Sequence, residues 1–313
     1  MRRIPATFVF CEGEHDVAFC HLILKHVLNA RRRNTEDTCA PWPIGKIVRT
    51  FLSKRIEDST TKFLRYAHCY DCGDRVVFLY KTEGKDAIEL SKKLIREMTP
   101  YLPGGVNAAF TDFTPNGTDL QEQISEVNYL FVYDHDEKSF EDLVAWWKSC
   151  YGAVEGLPSW TIQDRVDYSS TKGVIFGDKA VFGWSTGSET NTLENILMSV
   201  FKEVAGLPID ASSQFVCHDA QWSWEPPSED RKSLSAITAA CNKAILTTAG
   251  QRHRPGRSLA AIVQDCLKKE RSSDVVAEKV LRFSANEHVR GFSDFLSRVV
   301  NGRPLQFDLS IGE

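Results

Sequence analysis

Three short apolar runs constrain this chain most, because each is followed by residues whose apolar members recur at helical spacing. Residues 7–11 (Thr-Phe-Val-Phe-Cys), 75–80 and 129–133 read as buried strands, each closed by polar residues. Cys20, Ile23, Leu24, Val27 and Leu28 follow the first run. Ala87, Leu90, Leu94 and Ile95 follow the second, and Phe140, Leu143, Val144 and Trp147 the third. Strand and helix in alternation predict an α/β fold with a mostly parallel sheet flanked by helices. The second half changes character. Two strand-like runs lie within 174–184, and helical stripes then dominate, led by Leu193/Ile196/Leu197/Val200, Leu234/Ile237/Cys241/Ile245, Leu259/Ile262/Val263 and Val289/Phe292/Leu296/Val299. Gly206, Pro208, Pro226 and Pro227 mark a soft boundary within 206–228. The expected organisation is a core over 1–205, with an irregular insert at about 30–72, and a mainly helical extension over 206–313 packed on that core.

Composition excludes some functions. Lys plus Arg number 38 and Asp plus Glu 42, a net charge of -4, so the chain cannot hold nucleic acid by bulk charge alone. No run approaches the ~18 apolar residues of a membrane span. The apolar stretch at 6–11 is too short for the core of a signal peptide, and the nine cysteines are odd in number and scattered. A reducing, cytoplasmic setting and no membrane partner are expected.

Chemistry is expected where two acidic groups follow strands. Glu12-Gly13-x-x-Asp16 closes the first strand, and Asp134-x-Asp136 closes the third. Ligands of open parallel sheets bind beyond the carboxyl ends of the strands, so both groups are predicted at one edge. Carboxylates gathered there repel one another unless a cation intervenes, and oxygen donors suit Mg²⁺ or Mn²⁺ rather than zinc. The plainer alternative for Asp16 is a carboxylate at a helix N-terminus, and for Asp134 or Asp136 a helix cap. Glu12, directly after a strand and before a glycine that lets a ligand approach the backbone, fits a plain role less well.

This ordered set resembles the Toprim domain shared by topoisomerases, primases and OLD-family nucleases. The resemblance implies a Toprim fold in which Glu12, Asp134 and Asp136 hold Mg²⁺, with the spacing between them widened by the 30–72 insert. Thr192-Leu193-Glu194-Asn195-Ile196-Leu197 resembles a segment of small stand-alone nucleases of the OLD type. Asn242-Lys243-Ala244-Ile245 resembles their downstream lysine helix. The resemblance thus implies Glu194 and Asp16 as further metal ligands, Lys243 approaching the scissile phosphate, and Glu12 as metal ligand or general acid–base. It implies hydrolysis of DNA or RNA, in the setting of anti-phage defence effectors. The chain has no Walker motif, so an ATPase would come from a partner protein. The alternative is a non-catalytic Toprim-like module that binds nucleic acid or regulates a partner.

The remaining motifs are less specific. Arg31, Arg32 and Arg33, with Arg252, Arg254 and Arg257, are either solvated surface or contacts to a nucleic-acid backbone. Trp146, Trp222 and Trp224 are candidate base-stacking residues, whereas helical spacing places Trp147 in the core. His68-Cys69-x-x-Cys72 is half of a zinc pattern, which Cys39, Cys217 or His218 would have to complete. Gly84-Lys85-Asp86 is a candidate anion-binding turn without nucleotide-binding spacing.

Overall fold

The computed structural model describes residues 2–33, 41, 44, 68–82, 88–102, 105, 122–134, 138–152, 154, 164–168, 171–176, 179–184, 192–218, 234–253, 255–267 and 273–301. It is a mixed α/β structure. The strands are β1 (Arg2–Cys11), β2 (Arg31–Arg32), β3 (His68–Cys72), β4 (Arg75–Lys81), β5 (Glu122–Asp134), β6 (Asp164–Tyr168), β7 (Thr171–Phe176) and β8 (Lys179–Trp184). The α-helices are α1 (Glu14–His26), α2 (Ile88–Met98), α3 (Phe140–Tyr151), α4 (Leu193–Glu203), α5 (Ile209–His218), α6 (Leu234–His253), α7 (Leu259–Asp265), α8 (Ser273–Ala285) and α9 (Glu287–Asn301).

The strands form one sheet in the order β2-β3-β4-β1-β5-β8-β7-β6. Its centre, β4-β1-β5-β8, is parallel. The outer pairs on both sides are antiparallel. The three runs read as buried strands are therefore adjacent members of the parallel centre. β1 is longer than its apolar run, because it continues back through Pro5 to Arg2. Proline cannot donate to a ladder, and the register with β5 shifts between Ile4 and Pro5 to accommodate it. Both ends of the supposed insert are also sheet: β3 pairs along β4, and β2 along β3.

Side chains of the central strands alternate between two cores, as a period of two requires. Val9, Cys11, Val77, Leu79, Leu130 and Val132 share one cluster with Phe19 and Ile23 of α1, Leu197 of α4, Leu246 of α6, Val263 of α7 and Phe295 of α9. Phe8, Phe10, Phe78, Tyr80, Tyr129, Phe131 and Tyr133 lie on the other face with Leu94 of α2 and Leu143, Trp147 and Tyr151 of α3. Phe8 and Phe78 stack with centroids 5.0 Å apart, and Phe131 and Trp147 meet at 4.6 Å. Each such ring, fully buried, contributes on the order of 1.5–3 kcal/mol. The C-terminal helices thus complete the first core and cover one face of the sheet.

This arrangement defines a topological switch point. From β1 the chain leaves by α1 on the first face and reaches β3 and β4 on one side. From β4 it crosses by α2 on the opposite face to β5, on the other side of β1. The crossovers diverge between β1 and β5, the switch point where open α/β sheets bind ligands at the carboxyl ends.

Candidate metal centre

Both acidic groups meet at that switch point. Cys11, the last residue of β1, pairs with Val132, so Glu12 and Asp134 emerge side by side. The Asp134 amide donates to Glu12 Oε2 at 3.3 Å. Asp134 Oδ1 accepts the amide of Leu193 at 2.8 Å. Leu193 opens α4, and the N-terminal amides of a helix have no partner within the helix and favour negative charge. Docking that helix end on Asp134 carries Glu194, the next residue, to the switch point, where its side chain is 4% exposed. Glu194 Oε1 lies 3.1 Å from His15 Nδ1 and 3.3 Å from Lys243 Nζ. A carboxylate only accepts, so His15 donates through Nδ1.

Asp16 is buried, and its Oδ2 accepts the Gly13 amide at 2.8 Å, closing the first turn of α1. The plain helix-end role is therefore the one this contact shows. Gly13 is extended (φ -136°), and a Cβ there would make only ordinary contact with Asp16 at 3.4 Å. Nothing in its backbone requires glycine. Asp136 lies outside the described residues.

The charges are uneven. Burial, then the negative charges of Asp16, Glu194 and Glu12, push the Asp134 carboxyl well above the ordinary carboxylate range, against the pull of the Leu193 amide. Burial acts the same way on Glu194, but the His15 hydrogen bond and the Lys243 charge outweigh it and hold that carboxyl below its usual value. Partial burial disfavours the Lys243 ammonium, and Glu194, Asp134 and Asp16 more than restore it. Lys243 is thus a cation drawn to the whole group.

Among the described residues, no three His, Cys, Asp or Glu side chains stand close enough, as placed, to hold a metal ion. Protein donors engage them instead: the Asp134 amide on Glu12, the Gly13 amide on Asp16, the Leu193 amide on Asp134, and His15 with Lys243 on Glu194. The donor chemistry nevertheless fits a hard divalent cation. Glu194 Oε2 is buried and has no hydrogen-bond partner among the described residues, an atom for which a cation is a natural complement. Glu12, Asp16, Asp134 and Glu194 are the described residues able to contribute oxygens.

The other sequence candidates fall elsewhere. Arg33 is tied to Asp71 at 2.7 Å from Nε and to Glu122 at 2.6 Å. Glu122 opens β5, which ends at Asp134, so this guanidinium is held at the opposite end of the parallel strands. Arg31 and Arg32 are exposed on β2, and Arg257 is exposed between α6 and α7. The Arg252 backbone lies in the last turn of α6; its side chain, and Arg254, are outside the described parts. Cys69 and Cys72 belong to opposite cores because an odd spacing on a strand reverses the face. One zinc ion cannot take both, which corrects the half-site reading. Trp147 is core, with Trp146 edge-on against it at 4.8 Å. Trp222, Trp224, Cys39 and the turn at 84–86 lie outside the described residues.

Sequence reasoning missed three supports. His15 sits inside the acidic motif and reads as a helix-start residue. Thr82 Oγ1 donates to the Cys11 carbonyl at 3.0 Å and lies 2.8 Å from the Tyr133 hydroxyl, tying the ends of β4, β1 and β5 at the switch point. Asn195 Oδ1 accepts Asn242 Nδ2 at 3.1 Å, joining α4 to the residue preceding Lys243. Both asparagines stand in the quoted motifs, and position beside Glu194 and Lys243 was the available signal.

Among the described residues no helix is long and apolar enough to cross a membrane. The chain matches no family model and no curated protein. Among solved structures it is similar to a hypothetical protein from Pyrococcus horikoshii OT3, at 14% identity over 94% of this chain and 99% of that one, with a TM-score of 0.48.

Proposed function

We propose that the chain is a metal-dependent nuclease of Toprim and OLD type, hydrolysing phosphodiester bonds in DNA or RNA. Glu12, Asp16, Asp134 and Glu194, with Asp136, would hold Mg²⁺ or Mn²⁺. The observation that carries the reading is one chain of contacts running from Glu12 through Asp134, Leu193 and Glu194 to Lys243. It joins residues singled out by chemistry in four separate segments, at the switch point where this topology binds ligands.

Water adds to phosphorus, the bond to the leaving nucleoside oxygen breaks, and that oxygen takes up a proton from solvent. A divalent ion bound there supplies Lewis acidity and lowers the pKa of water. With the ion carried mainly by the aspartates, Glu12, at the mouth of β1, would orient the attacking water and accept its proton. Asp134 and Asp16 hold the negative wall of the site in place through their backbone hydrogen bonds. Lys243, 49% exposed on a flexible stem, turns from Glu194 toward a non-bridging phosphate oxygen and offsets the charge that develops there. A regulatory ATPase acting in trans would fit a nuclease held in check, in keeping with a defence effector.

The test is cleavage of supercoiled DNA, single-stranded DNA, total RNA and tRNA with Mg²⁺, Mn²⁺ or EDTA, beside Glu12→Ala. Metal-dependent cleavage lost in Glu12→Ala supports the reading and identifies the polymer. Cleavage that persists unchanged in Glu12→Ala sinks it. A protein that binds nucleic acid in every condition and cleaves none is the non-catalytic module.

A further inference from the structure

His15 stands outside the acidic set, yet its contact on the buried carboxylate of Glu194 is shorter than that of Lys243. We propose that His15 is a positioning residue: by donating Nδ1–H to Glu194 Oε1 it fixes that carboxylate so that Oε2 serves as a divalent-cation ligand. The inference rests on the metal-centre reading given above.

Geometry separates the two donors on Glu194 Oε1. Lys243 reaches it at 3.3 Å with a half-exposed, flexible side chain, and the proposed reaction needs that ammonium at the phosphate. His15 reaches it at 3.1 Å with a short ring that is 25% exposed. Its backbone belongs to the first turn of α1, which Gly13 and Asp16 close. When Lys243 turns away, His15 remains. Glu194 Oε2 is meanwhile buried with no hydrogen-bond partner among the described residues. A carboxylate held by one oxygen and unsatisfied at the other is oriented as a ligand, and partners of ligating carboxylates set metal affinity in this way. One helical turn of α1 thus supplies both a candidate ligand, Asp16, and the support for a second, Glu194.

Mn²⁺ binding to the full-length protein, read by the loss of the free-ion electron paramagnetic resonance signal, tests this without relying on turnover. His15→Ala should weaken binding about 10-fold or more. His15→Asn places an amide nitrogen near the position of Nδ1 and should restore most of the affinity. His15→Gln, whose nitrogen falls nearer Nε2, should behave like alanine. Thermal melting in EDTA checks the fold, and if His15→Ala does not fold, the contrast between Asn and Gln decides. Wild-type binding that is weakened by Glu194→Gln but unchanged in His15→Ala and His15→Gln overturns the role of His15 alone. A wild-type protein that takes up no Mn²⁺, or the same amount after Glu12→Ala and Glu194→Gln, overturns the metal-centre reading and this inference with it.

Discussion

Asp134 concentrates the conflict in this molecule. It is pulled toward ionisation by the Leu193 amide and away from it by burial and by Asp16, Glu194 and Glu12. The balance leaves its carboxyl above the ordinary range, so folding raises its affinity for a proton. The sign for stability follows from linkage. The contribution of protonated Asp134 is fully present below the unfolded value, about 3.9, and is lost as pH rises through the higher folded value. Asp134→Asn keeps an oxygen for the Leu193 amide and removes the charge. In EDTA at neutral pH the variant should therefore be more stable than the wild type by roughly 1 kcal/mol, in the usual manner of strained functional sites. The gain should shrink as pH falls into the range where Asp134 takes up its own proton. Urea denaturation at several pH values measures both. A variant less stable than the wild type at neutral pH would mean that the carboxylates do not press on one another. The same substitution should lower Mn²⁺ affinity, so stability and site move in opposite directions.

At the scale of elements, one contact shows how closely the helical half fits the sheet. Gly173 in β7 lies under the ring of Phe295 from α9, and a Cβ there would fall 2.2 Å from a ring carbon. Phe295 is fully buried in the first core and has little room to yield. Gly173→Ala should cost about 1–3 kcal/mol, seen as a lower urea midpoint with an unchanged slope. A midpoint at the wild-type value would show that α9 shifts freely. Such contacts explain what the sequence could and could not reveal. The central strands were legible because burial on both faces writes a continuous apolar run, and α3, α4 and α9 were legible because each carries one apolar stripe that is buried. The stripe read for α6 was only partly right: Cys241 is exposed, while Ile245, Leu246 and Ala249 are buried. β3 was not: His-Cys-Tyr-Asp-Cys carries cysteines that suggest a metal, and its partners lie along β4 rather than in its own composition. α5 fell in the proposed boundary because Gly206 and Pro208 announce a break without showing how briefly it lasts. For the candidate site, motif and chain order singled out Glu12, Asp134, Glu194 and Lys243, which the fold brings together. The work of His15 and Thr82 depends on tertiary neighbours 179 and 71 positions away, which no local pattern records.

Across the whole molecule, charge is divided along the strands. The carboxyl ends of β1 and β5 gather acids with Lys243, and the start of β5 holds Arg33 between two carboxylates. Arg33 is therefore engaged within the protein, whatever the net charge of -4. Arg33 is 13% exposed, and removing it leaves Asp71 to the exposed Arg31 at 3.4 Å and Glu122 to the exposed Arg2 at 3.9 Å. Arg31, 86% exposed with a contact to Asp71 at 3.4 Å, contributes little, as exposed ion pairs do. Arg33→Ala should therefore lower stability by about 1–3 kcal/mol, discounted from the cost of breaking a fully buried pair. It should leave the metal affinity unchanged within about twofold, since a difference of that size is well under 1 kcal/mol. The double variant Arg31→Ala/Arg32→Ala should leave both stability and metal-dependent cleavage near wild type. Thermal melts, Mn²⁺ titration and the cleavage panel on the same preparations decide. A double variant that loses cleavage steeply with added salt, while melting normally, would show that the substrate reaches the β2 edge of the sheet. The nucleic-acid path would then extend across the molecule instead of staying at the carboxyl edge.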